Sequence, residues 1–133
     1  MEKIPRKNNN RTTGHDFERD MRKVFKQFFP HIVTSRSESV SRDADKVDLM
    51  NKNELENGVL PFSIQCKSSV NSINYHKVLG EMRPPKNTIP LIIHEYTEVI
   101  NVNRITKGKY VILSLENFIN ILKLCPTYYP MEV

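Results

Sequence analysis

The sequence has no tryptophan and only two cysteines among 133 residues. Cys66 and Cys125 lie far apart, with no CxxC pair or Cys/His cluster. That excludes a disulfide scaffold, argues against zinc and fits reduced thiols in a cytoplasmic protein. The four histidines, at positions 15, 31, 76 and 94, show no HxxxH or other ligand spacing, so they read as incidental. No apolar run approaches the ~18 residues of a membrane span. The start MEKIPRKNNNRTT lacks the hydrophobic stretch of a signal peptide, so neither secretion nor a membrane partner is expected. Internal repeats are also missing.

What is present is a basic surplus. Twenty Lys and Arg face 15 Asp and Glu, for a net charge of +5. Residues 1–26 hold eight of the positive side chains against four acids, so this segment alone carries +4. Such an arm favours polyanions through counterion release, which makes nucleic acid the first partner to consider. Length sets one domain as the default, large enough for its own core. Residues 1–12 read as a flexible basic arm and 13–133 as the domain.

Periodicity orders the elements. Thr13 or Gly14 caps a helix running to Phe29, with Phe17, Met21, Val24 and Phe28 on one face and Pro30 as its stop. Strand candidates follow at His31–Arg36, Lys46–Met50 and Leu60–Cys66, the last two forming a hairpin around an Asn/Gly-rich turn. A second helix spans Ser72–Met82. Ile89–His94 is nearly all apolar, as expected of a strand buried on both faces. Glu95–Val102 and Lys109–Leu113 add strands separated by a Thr106-Lys107-Gly108 turn. Ser114 caps a final helix that carries Leu115, Phe118, Ile119 and Leu122 toward the core. This order predicts an α/β domain with a mixed central sheet flanked by helices.

Three places could carry chemistry: Glu18 in the first helix, Asp48 in KVDLM, and Gln65-Cys66-Lys67 at the end of LPFSIQC. Strand alternation puts Gln65 and Lys67 on one face and Cys66 on the other. In a hairpin, Asp48 lies across from that pair. A carboxylate, an amide oxygen and an ammonium then share a small volume, which suits a divalent metal and a phosphate. Mg²⁺ needs only one or two carboxylates plus water and phosphate oxygens. A plainer reading stands beside this one, in which Asp48 and Lys67 form an ordinary salt bridge, Gln65 is solvated and Glu18 pairs with Arg22.

The segments GHDFERDMRKVF, KVDLM and LPFSIQCK together resemble the PD-(D/E)xK nuclease superfamily, and in size and layout archaeal-type Holliday-junction resolvases and related phage nucleases. The resemblance covers about residues 13–94 and implies a restriction-endonuclease-like fold. It also implies a Mg²⁺-dependent DNA endonuclease, with Mn²⁺ able to substitute, acting in recombination or repair in a bacterial or phage-infected cell. Its matches are Glu18, Asp48, Gln65 and Lys67, the first three as metal ligands and Lys67 assisting the attacking water. Val47 stands in place of the motif's proline, and Gln65 in place of its usual acid. The second departure removes one negative charge, so a degenerate, non-cleaving DNA-binding relative is the alternative.

Arg11, Arg22, Lys23, Arg36, Ser41, Arg42, Tyr75 and Lys77 are candidate DNA contacts, with Ser41 the match for a phosphate-positioning serine. Asp43 and Asp45 could add a ligand, or be solvated loop acids. The implied partner is branched or double-stranded DNA, and symmetric cleavage of a junction implies a homodimer. A small interaction protein with merely surface charge is the third reading.

Overall fold

The computed structural model describes residues 10–34, 46–51, 61–84 and 88–125. Helix α1 (Asn10–Lys26) starts earlier than the expected Thr13 or Gly14 cap. It ends where the amides of Phe28 and Phe29 both turn back to the Phe25 carbonyl. Its buried stripe is Phe17 and Met21, with Phe25 packed beside them, whereas Val24 and Phe28 are exposed. The apolar face is therefore rotated from the expected one. Val24 and Phe25 both fit a helical period, and only the sheet decides between them.

Five strands follow: β1 (Ile32–Thr34), β2 (Leu49–Asn51), β3 (Phe62–Ser69), β4 (Ile89–Ile100) and β5 (Asn103–Ile112). Helix α2 (Tyr75–Glu81) joins β3 to β4, and α3 (Leu115–Leu124) follows β5. The sheet order is β1-β2-β3-β4-β5, and it is mixed. β1 pairs antiparallel with β2, β2 with β3 through Leu49 opposite Ile64, and β4 with β5, while β3 and β4 are parallel. A parallel pair cannot be closed by a tight turn, so the connection carries a helix. Asn74 caps α2 by accepting from the Lys77 amide at 3.1 Å.

The α/β class, the β2–β3 antiparallel pair and the Ser114 cap agree with expectation. Leu91, Ile92 and Ile93 are all buried, so β4 is covered on both faces. On one face, α1 packs Phe17 and Met21 against Ile32, Leu49, Ile64, Cys66, Leu91 and Ile93. The other face holds buried Gln65, Ile92 and His94.

Three expectations need correction. Glu95–Val102 is not a separate strand, because Ile89–Ile100 is continuous. The turn is Asn101-Val102, both at positive φ (51° and 62°), as a type I′ two-residue hairpin loop requires. Thr106-Lys107-Gly108 lies inside β5. There pairing steps from Gly108 opposite Tyr96 to Thr106 opposite Thr97, so Lys107 is the extra residue of a bulge. Finally, Leu115, Phe118, Ile119 and Leu122 of α3 are exposed, not turned into the core. α3 follows the edge strand, and the core face of the sheet is already taken by α1. No helix among the described residues is long and apolar enough to cross a membrane.

Candidate functional site

β3 runs on to Ser69, so Gln65 and Lys67 sit inside the strand rather than at its end. Asp48 directly precedes β2. The Lys46 backbone at φ 60° turns the chain into this segment, and Val47, 0% exposed, anchors it. Asp48 then grips β3 twice. Its amide donates to the Ile64 carbonyl at 2.8 Å, and its Oδ2 accepts from the Cys66 amide at 2.8 Å. The two bonds bracket Gln65. The carboxylate is thereby fixed against the backbone between Gln65 and Lys67, with a charge-assisted bond setting its orientation.

Gln65 is buried, which rules out the solvated strand residue of the plainer reading. Its Oε1 is fully enclosed and has no hydrogen-bond partner among the described residues. A buried polar atom left unsatisfied costs about 1–3 kcal/mol, so such an oxygen calls for an explanation. A bound cation would supply one.

Glu18 is likewise buried, on the inner side of α1. Burial pushes the Cys66 thiol well above its ordinary pKa, and the negative charges of Asp48 and then Glu18 raise it further. Both carboxylates therefore act on the same point of β3, Asp48 held to its amide and Glu18 approaching from the helix. Glu18 approaches from the α1 face and Gln65 points to the opposite one, so a hard divalent cation shared by them would have to sit at the edge of β3 that Asp48 occupies. Among the described residues no three His, Cys, Asp or Glu side chains group as metal ligands; this set has two carboxylates, with an amide as the third donor.

Lys67 is half-buried and pairs in register with His94 of β4. Of the candidate DNA contacts, Arg22 reaches the Ile32 carbonyl through Nε at 3.3 Å, and Lys23 is exposed in the last turn of α1. Arg11 lies in α1, but its side chain is outside the described residues, as are Arg36, Ser41, Arg42, Asp43 and Asp45. Tyr75 and Lys77 are exposed at the start of α2.

Sequence reading missed His94. It is 7% exposed, and its Nε2 lies 2.9 Å from Ser69 Oγ. Burial lowers its pKa, against a smaller opposing pull from Glu95. His94, Tyr96, Tyr75, Tyr110, Ser72, Ile73 and Ile112 line a cavity of about 430 Å³. The available signal was a polar residue ending the apolar run IPLIIH. Glu95, by contrast, is occupied structurally, accepting from Ser68 Oγ and Thr106 Oγ1, each at 2.7 Å.

No known protein family, curated protein or solved structure matches this chain.

Proposed function

We propose that the protein is a metal-dependent DNA endonuclease with a restriction-endonuclease-like fold, hydrolysing phosphodiester bonds, with branched DNA such as a Holliday junction as its substrate. The observation that carries this reading is the Asp48 clamp around Gln65, whose side-chain oxygen is buried without a donor among the described residues. The order of helix, three strands, helix and strand supports it. So does the placement of Glu18 on the first helix, Asp48 immediately before β2, and Gln65 and Lys67 on β3.

Asp48, Glu18 and the Gln65 oxygen would hold Mg²⁺, or Mn²⁺ in its place. A bound Mg²⁺ supplies a usable hydroxide from water and neutralises charge on the phosphate. Lys67 orients the attacking water by hydrogen bonding, and its ammonium opposes the charge that grows on phosphate oxygens. The basic surplus of residues 1–26 draws the DNA backbone toward α1, which carries Glu18. Cutting a four-way junction symmetrically requires paired sites, so this reading carries a homodimer.

Gln65→Glu tests the ligand assignment. A carboxylate beside the Asp48 clamp adds like charge in a buried place, which disfavours the ionised form and the metal-free fold. A cation relieves that repulsion and stabilises the fold that binds it. The variant is expected to melt below wild type in chelator, to gain more from Mg²⁺ than wild type gains, and to cut at least as fast. Loss of cleavage without Mg²⁺-dependent stabilisation removes position 65 from the site.

A further inference from the structure

The face of the sheet that carries Gln65 and Lys67 continues beyond them in register. Gln65 lies beside Ile92 and Ile112, Lys67 beside His94 and Tyr110, and Ser69 beside Tyr96 and Gly108. Paired residues point to the same side, and neighbouring strands are about 4.8 Å apart. The cavity lined by His94, Tyr96 and Tyr110 therefore begins one strand from Lys67, about 5–10 Å away along the same rows. Tyr75, at the start of α2, also lines it.

Its chemistry is that of a stacking site. Three tyrosines and an imidazole surround about 430 Å³, within the ~300–1,000 Å³ of small-ligand pockets and too narrow for a duplex. Tyr75 and Tyr110 are more than half exposed, so their rings are open to a ligand. His94 and Tyr96 meet edge to face, with centroids 6.4 Å apart at 70°. Ser69 Oγ donates its single proton to the Asn71 carbonyl at 2.7 Å, so the contact with His94 makes Nε2–H the donor. Nδ1 is then the acceptor of a neutral ring, and with the tyrosine hydroxyls it offers polar partners to a base edge. Gly108 keeps the ring of Tyr110 in place, since a Cβ there would lie 2.7 Å from its Cζ and 2.8 Å from its Cε2.

The geometry points to a pocket that takes one unstacked nucleobase of an unpaired DNA segment, next to the phosphate that the proposed site would receive beside Lys67. Aromatic side chains receive single-stranded bases in this way, tolerating any base because each has a π-face. The position of the phosphate rests on the nuclease reading proposed above; the stacking chemistry of the pocket does not. A base that must leave its stack would favour branched over continuous duplex DNA, since unpaired bases at a branch are already part-way out.

The test uses 2-aminopurine, read without interference because the protein has no tryptophan. Full-length protein in chelator is titrated into a 2-aminopurine single strand, the same strand annealed in a duplex, and the free 2-aminopurine nucleotide. Expected is a saturable change in emission for the single strand, little for the duplex, and weaker binding of the free nucleotide. Tyr75→Ala and Tyr110→Ala should each weaken the single-strand response on the order of tenfold, while Tyr110→Phe keeps it. Gly108→Ala, which retains every aromatic side chain but displaces one, should weaken it too.

An equal response from duplex, a response from the free nucleotide alone, or indifference to all three weakening variants overturns the pocket. Cleavage in Mg²⁺, measured separately, keeps the two readings apart. Cutting without an emission change defeats only the pocket, and an emission change without cutting defeats only the nuclease.

Discussion

Asp48→Asn is expected to lower Mg²⁺-dependent DNA cleavage by roughly 10²–10³-fold, the scale on which removing one fixed electrostatic group acts, while the protein stays folded. The asparagine oxygen can still accept from the Cys66 amide, now at 2.8 Å from Oδ2, so the link between the β2 segment and β3 survives. What disappears is a negative charge at the place where the proposed cation would sit. Asp48→Ala removes the acceptor as well. It leaves the Cys66 amide without that partner and should cost a further ~1–3 kcal/mol of stability.

The two variants thus separate chemistry from folding. Labelled junction, duplex and single-stranded DNA, each with and without Mg²⁺, give the rates, and thermal melts give the stabilities. Lys67→Ala belongs in the same series. Cleavage that persists in Asp48→Asn sinks the site assignment. Salt-sensitive binding by wild type with no cleavage in Mg²⁺ or Mn²⁺ instead selects the degenerate DNA-binding alternative, in which the missing acid at position 65 has silenced the site.

The second large effect is on stability. Ile64→Ala should destabilise the protein by about 2–5 kcal/mol, the usual result of truncating a fully buried aliphatic side chain whose surroundings cannot collapse. Ile64 is 0% exposed and stands at the middle of the sheet, opposite Leu49 on one side and Leu91 on the other. Against a typical total of ~5–15 kcal/mol, this is a large share. Its carbonyl also receives the Asp48 amide, so the cavity opens directly behind the clamp. Leu115→Ala is the contrast. Leu115 is 73% exposed on α3, and its truncation should stay within ~0.5 kcal/mol. Urea unfolding of both variants measures the difference. A Leu115 effect as large as that of Ile64 would show that α3 is packed after all.

Much of this arrangement was legible from residues in isolation. Alternation in FSIQCKS separates Gln65 and Lys67 from Ile64 and Cys66, and Ser114 announces the helix that follows it. The hairpin of β2 and β3 was readable because Asn and Gly crowd between two apolar segments. Other features depend on partners that no single segment reveals. Phe25 rather than Val24 faces the sheet because β1 and β3 fix the rotation of α1. Asn101-Val102 turns without a glycine, whereas Gly108, which looks like turn chemistry, serves a tyrosine two residues away. The amphipathic pattern of α3 is real, yet among the described residues it has no buried face. The cavity around His94 was invisible for a related reason: its walls come from α2, β4 and β5, and from the loop before α2.

The bulged hairpin of β4 and β5 also bears on how the molecule assembles. Ile100 pairs with Asn103 only three positions on, but Phe62 must find Ile89 across twenty-seven. Loop-closure entropy is repaid sooner for the nearer pair, so β4 and β5 should zip first and serve as the template onto which β3 docks. Glu18 must meet β3 near Cys66, forty-eight positions on, a longer closure than either strand pairing, which makes the proposed metal-binding set the last part to be completed. Pulse-labelled amide exchange during refolding reports this order, and protection of β2 ahead of β4 and β5 would reverse it. A nascent or partly refolded chain should therefore hold its aromatic pocket before it holds its acids.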